Sequence, residues 1–369
     1  MKKILILWLA HRNWDSRIFY KQAISLSKSF DVKCIWWIFS SKKWYWKEDK
    51  IKNIGITWNR IIVLFKSWLY WIKNKSDIYV AHDIDSYLVV LFIKLFRWKS
   101  KIIFDSHEYY DLYDKSKCSK IELFLLFLFS KIIKKITLKL FSWVTVTTED
   151  MKNFYNITNK ELIYNYPLTK GFDKIKANDK LSEWYLYFIY HWWISQDRWI
   201  FKMIDIFSKY KKINKNIKFL LIWTFSNKEL ELNVMSTLKN KWLKDDFIIT
   251  WQLSLVNTIS YLKNDIKKIW FCLFDNVWQI SKSIPIKMYE YLYLEIPQIG
   301  SSFISSYKES IINNQCGLWV KFNDIEEQIL AVKEINSNYD GFVKKCKLIK
   351  YDYTWKKEEI KLLEFYKNI

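Results

Sequence analysis

The chain has 369 residues, of which 51% are hydrophobic, and its 60 basic and 38 acidic side chains give a formal net charge of +22. This length and hydrophobic content exclude an unfolded chain and allow two domains with full cores. The charge favours an anionic partner, such as a membrane surface, nucleic acid or a phosphorylated substrate, although drift in an AT-rich gene would also enrich lysine.

Short apolar, β-branched runs alternate with longer amphipathic segments along the whole chain. In the first half the predicted strands are 3–9, 32–38, 78–81, 101–105 and 143–147. The predicted helices there are 17–29 and 85–96. In the second half the predicted strands are 185–190, 217–222, 247–250, 269–273 and 297–300. The predicted helices there are 199–210, 326–334 and a terminal helix 355–369. The alternation predicts an α/β fold with parallel sheets and right-handed crossovers, formed twice.

The segment 165–183 contains a proline, a glycine and several charges, which predicts a linker. We therefore expect two Rossmann-like, doubly wound domains facing a central cleft, followed by a C-terminal helix. The predicted domains are 1–165, a linker 166–183, a second domain 184–345 and a helical segment 346–369.

The five cysteines are scattered without zinc spacing, which fits a reducing cytoplasm. The apolar run 4–10 ends in polar residues rather than in a small-residue cleavage site, and so predicts a buried strand instead of a signal peptide. No apolar run approaches the roughly 18 residues of a membrane span.

The chain contains 22 tryptophans and only 5 glycines, which together make up about the usual glycine share of a soluble protein. Several tryptophans fall in predicted strand-to-helix turns, where a residue without Cβ is favoured. These are Trp8, Trp14, Trp192, Trp193, Trp199, Trp223 and Trp251. Because the codon UGA is read as tryptophan or as glycine under different genetic codes, we hypothesise that many of these residues are glycine in the living cell. The alternative is a genuinely tryptophan-rich protein with an aromatic surface for sugars or lipid.

All four histidines fall at or just after the end of a predicted strand: His11, His82, His107 and His191. Ligands of open α/β sheets bind at the carboxyl ends of the strands, and imidazole suits proton transfer near neutral pH. A single histidine at a strand end can equally be a hydrogen-bonded structural residue. Four together favour a functional site.

The first predicted strand-to-helix turn, residues 9–17, becomes an anion-binding turn if residue 14 is glycine. In this turn Asp15 either caps the following helix or faces substrate. The second domain has a similar turn at 190–200 (YHWWISQDRWI), where Arg198 at a helix N-terminus suits a diphosphate.

A third polar segment begins at Pro285, which can start a helix. Lys287 and Glu290 lie three residues apart and so share a face of that helix. Glu290 could accept hydrogen bonds from sugar or ribose hydroxyls. The alternative is a surface ion pair between the two side chains.

In order and spacing these motifs resemble GT-B glycosyltransferases of the family 4 type, the retaining enzymes that use nucleotide sugars. The resemblance covers nearly the whole chain. It rests on 11–18 (HRNWDSRI), 81–86 (AHDIDS), 104–108 (FDSHE), 190–193 (YHWW), 198–199, 285–291 (PIKMYEY) and 316–320 (CGLWV). It is stronger when tryptophan is read as glycine.

The resemblance implies that the C-terminal domain binds the nucleotide sugar and the N-terminal domain binds the acceptor. The implied catalytic residues are His107, Arg198 and Glu290. The implied donor-binding residues are Trp192, Trp193, Arg198, Lys287 and Glu290, and the acceptor side is formed by His11, Asp15 and His82. Neither a metal nor a cofactor is implied beyond the nucleotide-sugar co-substrate. One departure is Lys282, which occupies the place where family members often carry a first acid.

The implied function is that of a cytoplasmic, hexosyltransferase-like enzyme that extends a cell-surface polysaccharide or glycolipid from a glycan or lipid-linked acceptor. The basic, apolar segment 123–141 either lies on an anionic membrane at its inner face or forms a crossover helix. One alternative is a non-catalytic, GT-B-like sugar-binding or scaffold protein, if the donor-loop tryptophans are genuine. A sugar-nucleotide epimerase is a second alternative. A nucleic-acid binder is disfavoured because the chain lacks a compact basic-aromatic motif.

Overall fold

The computed structural model describes residues 1–8, 15–37, 51–56, 60–82, 89, 92–107, 135–136, 138–178, 180–192, 194–195, 199–222, 224–273 and 285–369. The chain forms two compact units. The first unit comprises Met1–Asn165 and Trp355–Ile369, and the second comprises Tyr166–Thr354. The terminal segment 346–369 is thus divided between the two units, and the linker 166–183 lies within the second.

The first unit contains a seven-stranded sheet with the order β3-β2-β1-β4-β5-β6-β7, in which every pair is parallel. Its strands are β1 (Lys3–Trp8), β2 (Asp31–Trp37), β3 (Ile51–Ile56), β4 (Ile78–Ala81), β5 (Lys101–Ser106), β6 (Trp143–Val146) and β7 (Lys160–Leu162). Its helices include a π-helix (Ser16–Ala23) that continues as α1 (Ile24–Leu26), then α2 (Arg60–Lys73) and α3 (Glu149–Phe154).

The second unit contains a six-stranded parallel sheet with the order β10-β9-β8-β11-β12-β13. Its strands are β8 (Leu186–His191), β9 (Ile217–Ile222), β10 (Phe247–Ile249), β11 (Lys268–Cys272), β12 (Gln298–Ser301) and β13 (Gly317–Val320). Its helices include α4 (Ile200–Ile213), α5 (Lys228–Asn240), α6 (Leu255–Leu262), α7 (Ile286–Tyr293), α8 (Ser305–Tyr307), α9 (Ile325–Ser337) and α10 (Tyr339–Ile349). The last helix, α11 (Trp355–Asn368), returns to the first unit.

The central strands are apolar without alternation because helices cover both faces of a parallel sheet. All six residues of β8 and five of the six residues of β1 are buried. In the second unit a cluster of aromatic rings, including Phe188, Phe207 and Phe219, joins β8, α4 and β9. The prediction of two parallel α/β domains with a C-terminal helix is confirmed.

The strand order reverses between β1 and β4 in the first sheet and between β8 and β11 in the second. Ligands of doubly wound folds bind outside the carboxyl ends of strands at such a switch point. His82 and His107 directly follow β4 and β5, and His191 is the last residue of β8. Three of the four predicted strand-end histidines are therefore confirmed in position, while His11 lies outside the described residues.

No helix in the described ranges combines the length and apolar character that crossing a membrane requires. Most of the segment 123–141, interpreted above as either a membrane-surface helix or a crossover helix, lies outside the described residues.

Candidate active site

In the first unit a buried carboxylate of β5 is surrounded by polar side chains from β6, from the π-helix and from the residues that follow β4 and β5. Asp105 lies in β5 and is fully buried. Arg17 binds it in a bidentate manner, with Nη2 2.7 Å from Oδ1 and Nε 2.9 Å from Oδ2. Thr145 in β6 donates a further hydrogen bond to Oδ1 at 2.6 Å. These contacts satisfy a charge that would otherwise be very costly to bury.

Two histidines face the other side of the same carboxylate. The Nδ1 atoms of His82 and His107 lie 3.1 Å and 3.3 Å from Asp105 Oδ2. Their rings are 5.9 Å apart and inclined by 58°. The side chain of His82 is fully buried, whereas that of His107 is 9% exposed. His107 is therefore the imidazole of this pair that solvent or a ligand can reach.

The environment separates the pKa values of these three groups. Burial alone would raise the pKa of Asp105, but the Arg17 charge and hydrogen bonds from both histidines hold that pKa well below its usual range. Burial lowers the pKa of His82 more than Asp105 raises it. For His107 the hydrogen bond and charge of Asp105 outweigh burial, so its pKa is raised. His82 is therefore neutral near neutral pH, and His107 is the more basic of the two histidines.

The three side chains His82, Asp105 and His107 also bring potential metal-ligand atoms within 4.8 Å of one another. However, the Arg17 guanidinium occupies both carboxylate oxygens. A metal ion here would face a fixed positive charge and would compete for satisfied lone pairs. The arrangement suits an oriented imidazole better than a metal site.

Asp15, assigned above to either a cap or the acceptor side, caps the helix that follows it. Its Oδ1 accepts hydrogen bonds from the backbone N–H groups of Arg17 and Ile18 at 2.8 and 2.9 Å. The cap starts the π-helix Ser16–Ala23 and thereby places Arg17 against Asp105. The charge of Asp15 also contributes to the raised pKa of His107.

In the second unit α7 presents the predicted pair Lys287 and Glu290. Lys287 Nζ lies 2.8 Å from Glu290 Oε2, and the two side chains are 17% and 15% exposed. The opposite face of α7 is buried and includes Met288 and Leu292. Glu290 is thus held by a rigid, well-packed helix, with its carboxylate still accessible.

Glu290 and His191 line one small pocket together with Phe172, Thr258, Tyr291 and apolar residues of α6. His191 ends β8 at the topological switch point, and its ring lies 6.3 Å from that of Tyr291. Burial and the Lys287 charge hold the pKa of His191 well below its usual value. The pocket therefore joins a neutral imidazole and a carboxylate at the carboxyl end of the second sheet.

The predicted donor loop is described only in part, because Trp193 and Arg198 lie outside the described residues. Trp192 follows β8 and packs partly buried against the core. Trp199 directly precedes α4 with a left-handed φ of 61°. Trp8, predicted to lie in a turn, is instead the buried last residue of β1.

Sequence reasoning gave no individual role to Arg17 or Asp105. The signal for Asp105 was a carboxylate inside the apolar run 101–106 (KIIFDS), which is costly to bury unless it is paired. Its partner Arg17 is 88 residues away in sequence, and no spacing rule links the two.

Solved structures of low sequence identity share this fold across both units. Sucrose-phosphate synthase from Thermosynechococcus elongatus is similar with a TM-score of 0.75 and 11% identity, covering 100% of this chain and 99% of that one. A glycosyltransferase from Rickettsia africae has a TM-score of 0.72 and 15% identity, with 100% and 98% covered. HepE of Anabaena in complex with UDP has a TM-score of 0.76 and 8% identity, with 100% of both chains covered. The two units therefore have the GT-B fold.

Residues 174–354 match the family model described as "Glycosyl transferases group 1". The match spans the second sheet, the Lys287–Glu290 pair and every lining residue of the pocket except Phe172. Just under half of the chain is thus similar to the glycosyltransferase group 1 domain, and both units have the GT-B fold. No curated protein matches the sequence significantly.

Proposed function

We propose that the protein is a retaining glycosyltransferase of the family 4 type that transfers a hexose from a nucleotide sugar to a glycan or lipid-linked acceptor. One observation carries the proposal: Glu290 and His191 line a pocket within the segment that matches the glycosyltransferase family. In this proposal Glu290 binds the ribose of the donor. Arg198 neutralises the diphosphate as it leaves, a role that stabilises the transition state.

The donor class is supported by the ligands of structural relatives. HepE structures contain UDP or UDP-glucose, and an E. coli relative is bound with UDP-2-fluoro glucose. In the first unit His107 orients the transferred sugar, and His11 and His82 belong to the acceptor side. We propose a cytoplasmic enzyme of surface polysaccharide or glycolipid synthesis that needs no metal, because in this proposal Arg198 supplies the positive charge for the leaving diphosphate.

The test is to incubate the purified native protein with a panel of nucleotide sugars, with and without glycan and lipid-linked acceptors. We expect release of nucleotide diphosphate that depends on acceptor, and NMR should find the anomeric configuration of the donor in the product. Isomerised donor without acceptor would indicate the epimerase instead. Sugar binding without turnover would indicate the non-catalytic scaffold.

We also propose that many of the tryptophans are glycine in the native protein. Among the described residues, five residues other than glycine have left-handed backbone angles, and three of them are tryptophans: Trp199, Trp242 and Trp251. Bulky side chains are strong outliers in this region, which glycine enters without steric cost. Glu295 and Gln315 share the geometry, so the fold also tolerates other residues there.

Trp242 gives the strongest support because its position in a helix cap is well defined. The N–H of Leu243 bonds to the carbonyl of Leu238 at 2.9 Å, and the N–H of Trp242 bonds to that of Lys239 at 3.0 Å. This pair of bonds is the Schellman motif that ends α5, and glycine is the usual residue at its left-handed position. The indole is 93% exposed, so no packing offsets the strain.

Mass spectrometry of native peptides tests the recoding proposal directly. We expect glycine at 192, 193, 199, 242 and 251, and tryptophan at these positions would contradict it. In recombinant protein, Trp242→Gly should stabilise the fold by about 1 kcal/mol relative to Trp242→Ala, because only glycine lacks Cβ at a left-handed position. Equal stability of the two variants, by denaturant unfolding, would remove the structural support.

A membrane-bound acceptor would require a surface that binds lipid. In the described part of the first unit, Leu95 and Phe96 are 75% and 61% exposed beside Lys94 and Arg97. Such a mixture of apolar and basic side chains suits an anionic bilayer, and the segment 123–141 has the same kind of composition. Sedimentation with anionic vesicles should decrease as salt rises, and binding that is insensitive to salt would contradict this part of the proposal.

A further inference from the structure

The cluster around Asp105 contains more polar contacts than burial of a single acid requires. Both carboxylate oxygens are engaged by Arg17, and Oδ1 also accepts from Thr145. Oδ2 in addition faces Nδ1 of both His82 and His107. The backbone carbonyl of Asp105 lies 3.3 Å from His107 Nδ1 as well. Two oxygens of Asp105, the backbone carbonyl oxygen and Oδ2, therefore face the same nitrogen of His107, Nδ1.

This geometry selects one tautomer of His107. An ionised carboxylate and a carbonyl only accept hydrogen bonds, so Nδ1 must carry the proton. In neutral imidazole the other nitrogen, Nε2, then holds the lone pair. Arg17 keeps the carboxylate ionised and fixes its plane through two parallel hydrogen bonds.

We propose that Asp105 and Arg17 are positioning residues for His107, which they hold with Nδ1 protonated and with Nε2 as the hydrogen-bond acceptor for a hydroxyl of the transferred sugar. The contact between Nε2 and a sugar hydroxyl rests on the proposed function, whereas the tautomer of His107 does not. His82 differs from His107 because its side chain is fully buried, although its Nδ1 faces the same carboxylate oxygen.

The charged and titratable groups that face this site come from several elements. Arg17 and Asp15 belong to the π-helix and its cap, and Asp105 belongs to β5. His82 follows β4, and Tyr366 of α11 interacts electrostatically with Asp105 and Arg17. Arg17 lowers the pKa of His107, while Asp105 and Asp15 raise it. Neutralising Asp105 should therefore make His107 less basic.

Long-range ¹H–¹⁵N NMR of histidine side chains is the direct test, and it does not depend on activity. The chain has only four histidines, so single His→Gln variants assign every signal. In the wild-type protein we expect His107 to be in the Nδ1–H tautomer. In Asp105→Asn we expect its protonation constant to fall about tenfold or more. A wild-type Nε2–H tautomer, or an unchanged protonation constant in a folded Asp105→Asn variant, would overturn the proposal.

Thr145→Val is the matched control, because it removes a hydrogen bond to the same carboxylate without touching either ring. It should leave the tautomer of His107 unchanged. If Asp105→Asn does not fold, the wild-type tautomer still decides the proposal. With an active donor and acceptor, Asp105→Asn should lower kcat about 100-fold and shift its acid limb to lower pH. A correct tautomer without any transfer would contradict the proposed function and leave the positioning proposal intact.

Discussion

Replacing Arg17 by methionine should destabilise the first unit by about 3–5 kcal/mol, because it leaves the Asp105 carboxylate buried without its charge partner. Both side chains are almost completely inaccessible, and the guanidinium supplies two of the hydrogen bonds to the carboxylate. Arg17 also donates to the backbone carbonyl of Ile163 at 3.2 Å. The free energy of unfolding in denaturant, measured for wild type and variant, gives the difference.

The double variant Arg17→Met with Asp105→Asn is the control for this prediction. Since it removes both charges, it should be less destabilised than the sum of the two single variants, and the coupling energy measures the pair. Additive effects would show that Arg17 acts through its packing alone.

The pH dependence of the Arg17→Met effect follows from the lowered pKa of Asp105. A carboxylate whose folded pKa is depressed contributes stability above its unfolded pKa, about 3.9, and loses it as pH falls through the folded value. Arg17 is the largest cause of that depression. The difference between wild type and variant should therefore be largest near neutral pH and should shrink below about pH 4.

The regular elements of this protein could be predicted because burial on two faces leaves a continuous apolar run in the sequence. The β1 run KILILW and the β8 run LYFIYH are of this kind. The strands that the sequence reading missed lack the pattern. The β3 segment IKNIGI contains asparagine and glycine, and β7 has only the three residues KEL.

The position of His82, His107 and His191 at the carboxyl edge of the sheets was also predictable, since each follows or ends an apolar run. The hydrogen bonds that connect the side chains of the cluster around Asp105 were not predictable from the sequence. Arg17 and Asp105 meet through the packing of a helix against the middle of a sheet, over a separation of 88 residues. The sequence position of Asp15 was compatible with both a cap and a ligand contact, and the hydrogen bonds of its Oδ1 show the cap.

Replacing Glu290 by glutamine should raise the KM for the nucleotide sugar about tenfold to a hundredfold, while stability changes by only about 0.5 kcal/mol or less. The carboxylate lines the pocket of the second unit and is 15% exposed, so a ligand can reach it. A hydrogen bond from a ribose hydroxyl to a charged acceptor is worth more than one to a neutral amide, and this difference sets the expected loss. Initial rates at varied donor concentration provide the measurement.

Glu231→Gln is a matched control for the alternative that Glu290 is only a partner in an ion pair. Glu231 pairs with Lys228 three residues earlier on α5, at the same 2.8 Å as Lys287 and Glu290 on α7. Both variants therefore lose an i,i+3 ion pair worth a few tenths of a kcal/mol. Only Glu290→Gln should change the donor KM, since Glu231 does not line the pocket. If the two variants keep the same KM, Glu290 contributes to the helix surface and the ribose is bound by other groups.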